Sequence, residues 1–565
     1  MSTRSLLHSE SAPSGRSSTL SYMGTALVAV EVAMVSVVLL FLFCPSTLRR
    51  WFSVTFDSYI STSSKSGRTF PPGPKGWPIL GNLPHFGKGL EATLAELARK
   101  FGGIVYLKLG FKPVVLVTSS SVARVVLREQ DSLFCDRPPP PTVYKQLTYS
   151  DNNIAFEDYG PRFTFHRKLM IMELLNQQKV AQFKHHRESE LDTLVESIHH
   201  VNTVTARLSE AERAITLRPF LRACFINALS VTAISQRLMD LPGEVPHDPS
   251  LVPRQANSAG EDMDNLVNLI TSTVMISDLF PVLSFLDSIF RQPLKKRIRR
   301  TFASMDAFLQ QVVEQRRHLP REESARDVLD ILLSFRYTDE EGHEQPLTDT
   351  AVKANVQVMI LGGLDTTSTI VEWLLAELMR NPDCIVKMQK EMDTVVGKHR
   401  TVEAADLLKL PYVRAVVKEG MRLHPGGSML LPRRCNKDTV VDGYHIAADT
   451  VVLVYVNAMQ RDPAVWPDAN QFRPERFLNW EGPDINRGQD FRFMPFGSGR
   501  RMCPGLNLGS AITDLAIAKL IHSFDWSLTG KLKHRPQDMC MRGGKSSLAL
   551  KLNPLKVVMT RRSRA

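Results

Sequence analysis

Polar and apolar positions divide this 565-residue chain into four stretches. Residues 1–22 are polar and serine-rich, and 23–44 are almost wholly apolar, with Glu31 as the only charge. About 20 such residues span a bilayer core as a helix, although an isolated acid in lipid costs on the order of 2–3 kcal/mol unless protonated or paired. Residues 45–70 return to polar character and read as a linker. From residue 71 onward, apolar side chains recur at helical spacing around 87–101, 162–200, 257–274, 300–317, 349–380 and 411–423. Residues 103–109 and 114–118 read as two strands joined through Gly110 and Pro113, and 439–456 as a second β region turning at Asp442-Gly443. The pattern predicts a mainly α fold with small β-sheets (α+β), preceded by one transmembrane helix, with 71–565 as one large domain.

Charge orients the apolar segment. Arg4 and Arg16 precede it, whereas Arg49, Arg50, Lys65 and Arg68 follow, which places the bulk of the chain in the cytosol. The run is long and lacks a small-residue cleavage pattern, which disfavours a signal peptide. The Ser-rich, Arg-bearing start also fits a transit peptide, so a plastid or other organelle remains the alternative to the endoplasmic reticulum. Pro71-Pro72-Gly73-Pro74 then forms a stiff, extended turn-out, because proline fixes φ and removes donors. The net charge of +12 admits nucleic acid, an anionic membrane or an acidic protein as partner. Its cations are dispersed and no nucleic-acid module is present, so nucleic acid is set aside. Seven scattered cysteines without a CxxC pair argue against a disulfide framework or zinc site and for a reducing compartment.

Three motifs carry candidate chemistry. The 349–379 stretch, ended by Asn381-Pro382, holds Gly362-Gly363-Leu364-Asp365-Thr366-Thr367 in its middle. Paired glycines weaken a helix by roughly 1 kcal/mol each, so they imply close ligand approach and a break in the hydrogen-bond ladder. Asp365 and Thr366 supply a carboxylate and a hydroxyl for proton relay, although a back-bonded threonine at a kink is the plainer alternative. Phe496-Gly497-Ser498-Gly499-Arg500-Arg501-Met502-Cys503-Pro504-Gly505 places one cysteine before a helix that starts near Leu506. A thiolate there is favoured by the helix N-terminus and is the metal-ligating form of cysteine. Glu419 and Arg422 lie at i, i+3 on one helix face, ahead of Phe472-Arg473-Pro474-Glu475-Arg476-Phe477.

In this order the motifs resemble those of the cytochrome P450 family over about residues 71–560. The Pro71 start and the 457–477 stretch are most similar to plant microsomal flavonoid and phenylpropanoid hydroxylases. Phe496, Gly499, Arg501, Cys503 and Gly505 fill the family's haem-binding loop. The resemblance implies heme b (iron protoporphyrin IX) on Cys503, a ligation that favours O–O cleavage. Phe496, Gly505, Arg501, Arg433 and Arg167 would contact the haem, with the arginines on its propionates. Thr366 would be the oxygen-binding, proton-delivering threonine, with Asp365 its acidic neighbour. Glu419, Arg422 and Arg476 would form a buried structural triad. The implied reaction inserts one atom of O2 into a small apolar substrate, with electrons from NADPH through NADPH-cytochrome P450 reductase. The implied setting is the endoplasmic reticulum membrane, with lipid a further partner.

Departures from the family pattern matter as much. Phe163 stands where the family usually has tryptophan in Trp-x-x-x-Arg, so one propionate hydrogen bond should be missing. Arg162 and His166 are the candidate substitutes. Gly426-Gly427-Ser428 replaces a bulkier segment and predicts a roomier or more flexible pocket, and Arg434 and Cys435 stand at positions that are often acidic and serine. The pocket should draw on 132–158, parts of 257–290, the central helix, 426–431 and 543–547. Two rivals are a haem-thiolate isomerase or dehydratase acting on peroxides without a reductase, and a non-catalytic membrane-tethered haem-binding protein. The intact Asp365-Thr366 pair and Cys503 loop speak against both.

Overall fold

The computed structural model describes residues 69–149, 154–243, 254–273, 275–280, 283–318, 326–338, 342–478, 488–544 and 550–562. The expected tail and anchor, and the linker up to residue 68, lie outside the described residues. The chain divides into two units, Met1–Thr69 with Leu286–Gln292, and Phe70–Phe285 with Pro293–Ala565. In the first, Ile289 and Phe290 are exposed. The second holds the sheets and the cavity.

Helix α1 (Leu90–Phe101) leads into strands β1 (Ile104–Leu109) and β2 (Lys112–Val117), which pair antiparallel. β2 begins earlier than its sequence pattern predicts and includes Pro113, opposite Lys108. The missing N–H is tolerated because parallel pairing with the next strand begins only at Val114. Strands β3 (Arg433–Arg434) and β4 (Val451–Val454) complete a sheet of order β1-β2-β4-β3. Alternation sends Ile104, Val115 and Val117 to one face, against Leu127 and Phe134. Val105, Leu107, Val114 and Leu116 face Leu94 and Leu97 of α1 on the other. The hairpin of Thr439–Val441 and Tyr444–Ile446 turns at Asp442-Gly443, whose φ values of 52° and 79° are what a tight two-residue turn needs.

The helical layer comprises α2 (Pro161–Lys168), α3 (Lys184–Val204), α4 (Leu217–Ile234), α5 (Arg254–Ser272) and α6 (Gln292–His318). It continues with α7 (Asp349–Arg380), α8 (Pro411–Leu423) and α9 (Leu506–Ser523). The single helix expected over 162–200 is broken. The backbone widens into a π turn at Leu169–Leu174, and the Asn176 side chain accepts the Lys179 N–H at 2.7 Å to cap a new helix. α4 was not anticipated at all. It is buried on every side, through Phe220, Cys224, Phe225 and Leu229 among others, so it shows no polar stripe. α7 is capped by Thr348 Oγ1, which accepts the Ala351 N–H at 3.2 Å, and runs unbroken through Gly362-Gly363. The expected break at the paired glycines does not occur. Among the described residues, α4 and α7 are long and apolar enough to cross a membrane, but both are largely buried inside the fold.

Candidate active site

The Cys503 loop is shaped by glycine and closed by backbone bonds. Gly497 and Gly499 adopt φ of 73° and 74°, and a Cβ on Gly499 would lie 2.4 Å from the Leu127 carbonyl oxygen. Only glycine fits there. The Cys503 N–H donates to Phe496 O at 3.0 Å, and α9 starts three residues later at Leu506. Cys503 is exposed on the wall of a cavity of about 350 Å³. Burial pushes its thiol up, against the Gly505 N–H and the Arg167 charge, which pull it down.

Four arginines line this cavity: Arg137, Arg167, Arg433 and Arg501. Arg433 donates to Asp131 Oδ1 at 2.8 Å and to Ser498 O at 2.9 Å. The other three find only carbonyl oxygens among the described residues. Arg167 donates to Met502 O at 2.8 Å. Arg501 donates to the carbonyls of Cys135 and Glu157, and lies 3.8 Å from the centre of the Phe163 ring. Arg137, only 5% exposed, donates to Ala155, Leu431 and Pro432. Burial pushes all four guanidinium pKa values down, that of Arg501 to about 10. A buried cation without an anion is costly, so this wall is short of negative charge. Two propionates together with a thiolate ligand fit that donor set, and haem therefore fits the residues present.

Arg137 escaped the sequence reading because its environment is made by Leu431, 294 residues away. The two candidate substitutes for the missing tryptophan do not fill its place. Arg162 and His166 both turn to Glu157, at 3.2 and 2.9 Å, and neither lines the cavity. Phe163 does, packed beneath Arg501.

The opposite wall belongs to α7, which presents Gly362, Gly363, Thr366 and Thr367. A Cβ on Gly362 would meet nothing within 4 Å, whereas one on Gly363 would lie 2.7 Å from Leu229 Cδ1. One glycine thus opens the cavity and the other lets α4 approach. Thr366 Oγ1 donates back to Gly362 O at 2.7 Å. Asp365 does not reach the cavity wall. It is 1% exposed and ion-paired with Arg222 of α4, which also pairs with Asp264 of α5. Successive helical residues point about 100° apart, so Asp365 and Thr366 face different surroundings. Burial pushes the Asp365 carboxyl up, against the pull of Arg222.

Gly426 corrects the expectation of a roomier pocket at its own position. A Cβ there would sit 3.1 Å from Ile370 Cδ1 and 3.4 Å from Thr366 Cβ, so α7 already fills the space. Ile154, Val358, Met359, Ile370, Met429 and Leu430 make the walls apolar, and no carboxylate is among the described lining residues. The 257–290 stretch contributes nothing to that lining, and part of the expected 543–547 turn lies outside the described residues. Behind the site, Arg422 donates to both Glu419 oxygens at 2.7 and 2.8 Å, with both residues 0% exposed. Arg476 joins at 3.3 Å, and the carbonyls of Gln460 and Ala469 take a further Arg422 N–H group.

Known proteins resemble the chain over most of its length. Residues 71–557 match the Cytochrome P450 family. The chain is 34% identical over 466 residues to a flavonoid 3'-monooxygenase of Arabidopsis thaliana, covering 81% of this chain and 86% of that one. It is 36% identical to the flavonoid 3'-monooxygenase of Petunia hybrida, with the same coverage, and 33% identical to salviol synthase of Salvia pomifera, over 89% and 94% of the two chains. A solved zebra fish cytochrome P450 structure with progesterone shares the fold, with a TM-score of 0.65 and 23% identity over 85% of this chain and 99% of that one. The chain belongs to the cytochrome P450 family and is a haem-dependent monooxygenase.

Proposed function

We propose that this protein hydroxylates a small, apolar plant metabolite of the flavonoid or phenylpropanoid kind. The observation that carries the reading is one cavity with Cys503 on one wall, Thr366 on the other, and apolar side chains without a carboxylate between them. Haem, when bound, supplies the oxygen-activating iron. Cys503 would hold that iron, Phe496 and Gly505 would pack beside it, and Arg137, Arg167, Arg433 and Arg501 would surround the propionates. Thr366 holds a proton on Oγ1 and turns it from Gly362 O toward the cavity. Asp365 is held behind that wall by its ion pair with Arg222. The apolar walls exclude water and orient a neutral substrate. Glu419, Arg422 and Arg476 brace the core behind the loop.

Electrons come from NADPH through a membrane-bound cytochrome P450 reductase. The 23–44 segment anchors the chain in the endoplasmic reticulum membrane, with residues 71–565 as the catalytic domain on the cytosolic side. The test is spectroscopic first. The reduced, CO-bound protein should show the long-wavelength Soret band of thiolate ligation, and Cys503→Ser should abolish it. With reductase and NADPH, a panel of flavonoids should then be hydroxylated. A band that survives Cys503→Ser, or NADPH-independent turnover of lipid hydroperoxides alone, overturns the reading.

A further inference from the structure

Asp131 opens a one-turn 3-10 helix, Asp131–Leu133, and is only 5% exposed. A buried carboxylate is costly unless charges and hydrogen bonds answer it. Its partners come from far along the chain. Oδ1 accepts Arg433 Nη1 at 2.8 Å, across 302 residues. Oδ2 accepts the backbone N–H of Arg500 at 2.9 Å, across 369 residues, with the Arg500 Nη1 farther off at 3.3 Å. The Arg500 side chain is 45% exposed, so solvent screens its charge and the backbone N–H is the firmer tie.

Arg433 closes a ring from there. Its Nη2 donates to Ser498 O at 2.9 Å, and Ser498-Gly499-Arg500 leads back to the N–H that Asp131 holds. Gly499 makes the fit possible, since a Cβ there would lie 2.9 Å from Asp131 Oδ1. The ring reaches toward the cysteine, because the Met502 N–H donates to Gly499 O at 3.0 Å. Arg433 and Cys503 line the cavity, whereas Asp131 stands behind both. Of the four cavity arginines, Arg433 alone has a carboxylate partner among the described residues. Groups behind the ligands of a metal orient those ligands. We propose that Asp131 is a positioning residue that ties Arg433 and the Cys503 loop into one unit around the haem. One carboxylate oxygen fixes the guanidinium and the other fixes the loop, so neither shifts without the other. The inference rests on Cys503 as the iron ligand and Arg433 at the propionates.

The test compares the full-length, haem-loaded chain with Asp131→Asn, Arg500→Gln and Gly420→Ala. Asparagine keeps the shape but offers one acceptor oxygen where two N–H donors converge, so one donor loses its partner. Haem transfer from Asp131→Asn to excess apomyoglobin should run about tenfold faster, the weight of one hydrogen bond to a charged group. Part of its reduced, CO-bound band should also leave the thiolate position for shorter wavelength. Arg500→Gln keeps the backbone N–H and should match the unaltered chain in both readouts. Gly420→Ala loosens the fold between α7 and α8 and should leave the thiolate band whole. Haem transfer from Asp131→Asn at the unaltered rate, or the same loss of band in Gly420→Ala, overturns the proposal. In the unaltered holoenzyme the Arg500 amide should exchange slowly with solvent, because its acceptor is a buried carboxylate. Exchange at the rate of an open loop overturns the proposal even if Asp131→Asn takes up no haem. Absence of the thiolate band from the unaltered chain overturns instead the assignment of Cys503 on which the proposal stands.

Discussion

His424 stacks on Trp373, with ring centres 4.3 Å apart and planes 3° apart, and its Nε2 lies 2.7 Å from Glu377 Oε1. Burial pushes the imidazole pKa down, against the pull of Glu377. Burial also raises Glu377, but the His424 hydrogen bond and charge, with Arg380 and Arg461, leave it lowered overall. A lowered histidine means that the unfolded chain takes up the proton first, so stability falls as pH drops below about 6.5. The depressed carboxylate adds a further loss below about pH 4.3. In thermal melts between about pH 7 and 5, His424→Gln should therefore lose less stability on acidification than the unaltered chain. Equal slopes would exclude His424 as the source. In the sequence, Leu423-His424-Pro425 only marks the end of a helix. Nothing in the spacing ties position 424 to 377, because that tie exists only where α8 crosses α7.

α7 and α8 meet at a glycine. A Cβ on Gly420 would lie 2.0 Å from Leu374 Cδ2 and 2.6 Å from its Cγ, so Leu374 occupies the space a side chain would need. This close approach seats Glu419 and Arg422 in the core beside it. Gly420→Ala should destabilise by about 1–3 kcal/mol through overpacking, read by urea unfolding, and a variant as stable as the parent would mean that Leu374 yields freely. At this scale legibility followed patterning. α7 and α8 kept their predicted bounds because apolar periodicity and proline or asparagine stops marked them. α4 and the π turn were invisible, since a helix buried all round has no periodic polar face.

At the scale of the molecule, Phe70 opens the unit that carries the whole cavity. A chain lacking residues 1–68 should keep the reduced-CO spectrum and leave the membrane fraction at high salt. Loss of the spectrum would make the N-terminal segment part of the fold, and retention on membranes at high salt would assign firm attachment to the folded unit itself.

The residues of the Cys503 loop and the Gly362–Thr366 pairing were set by the sequence alone, because their causes are local: positive-φ glycines and one helical turn of spacing. Packing decided the rest. Asp365 answers to Arg222, 143 residues distant, rather than to the cavity beside its neighbour. Arg137 becomes a cavity residue only where Leu431 and Pro432 meet it, and Gly426 loses its apparent room to Ile370. Propensity and turn chemistry act over a few residues, whereas burial and ion pairing depend on which distant segments the fold brings into contact.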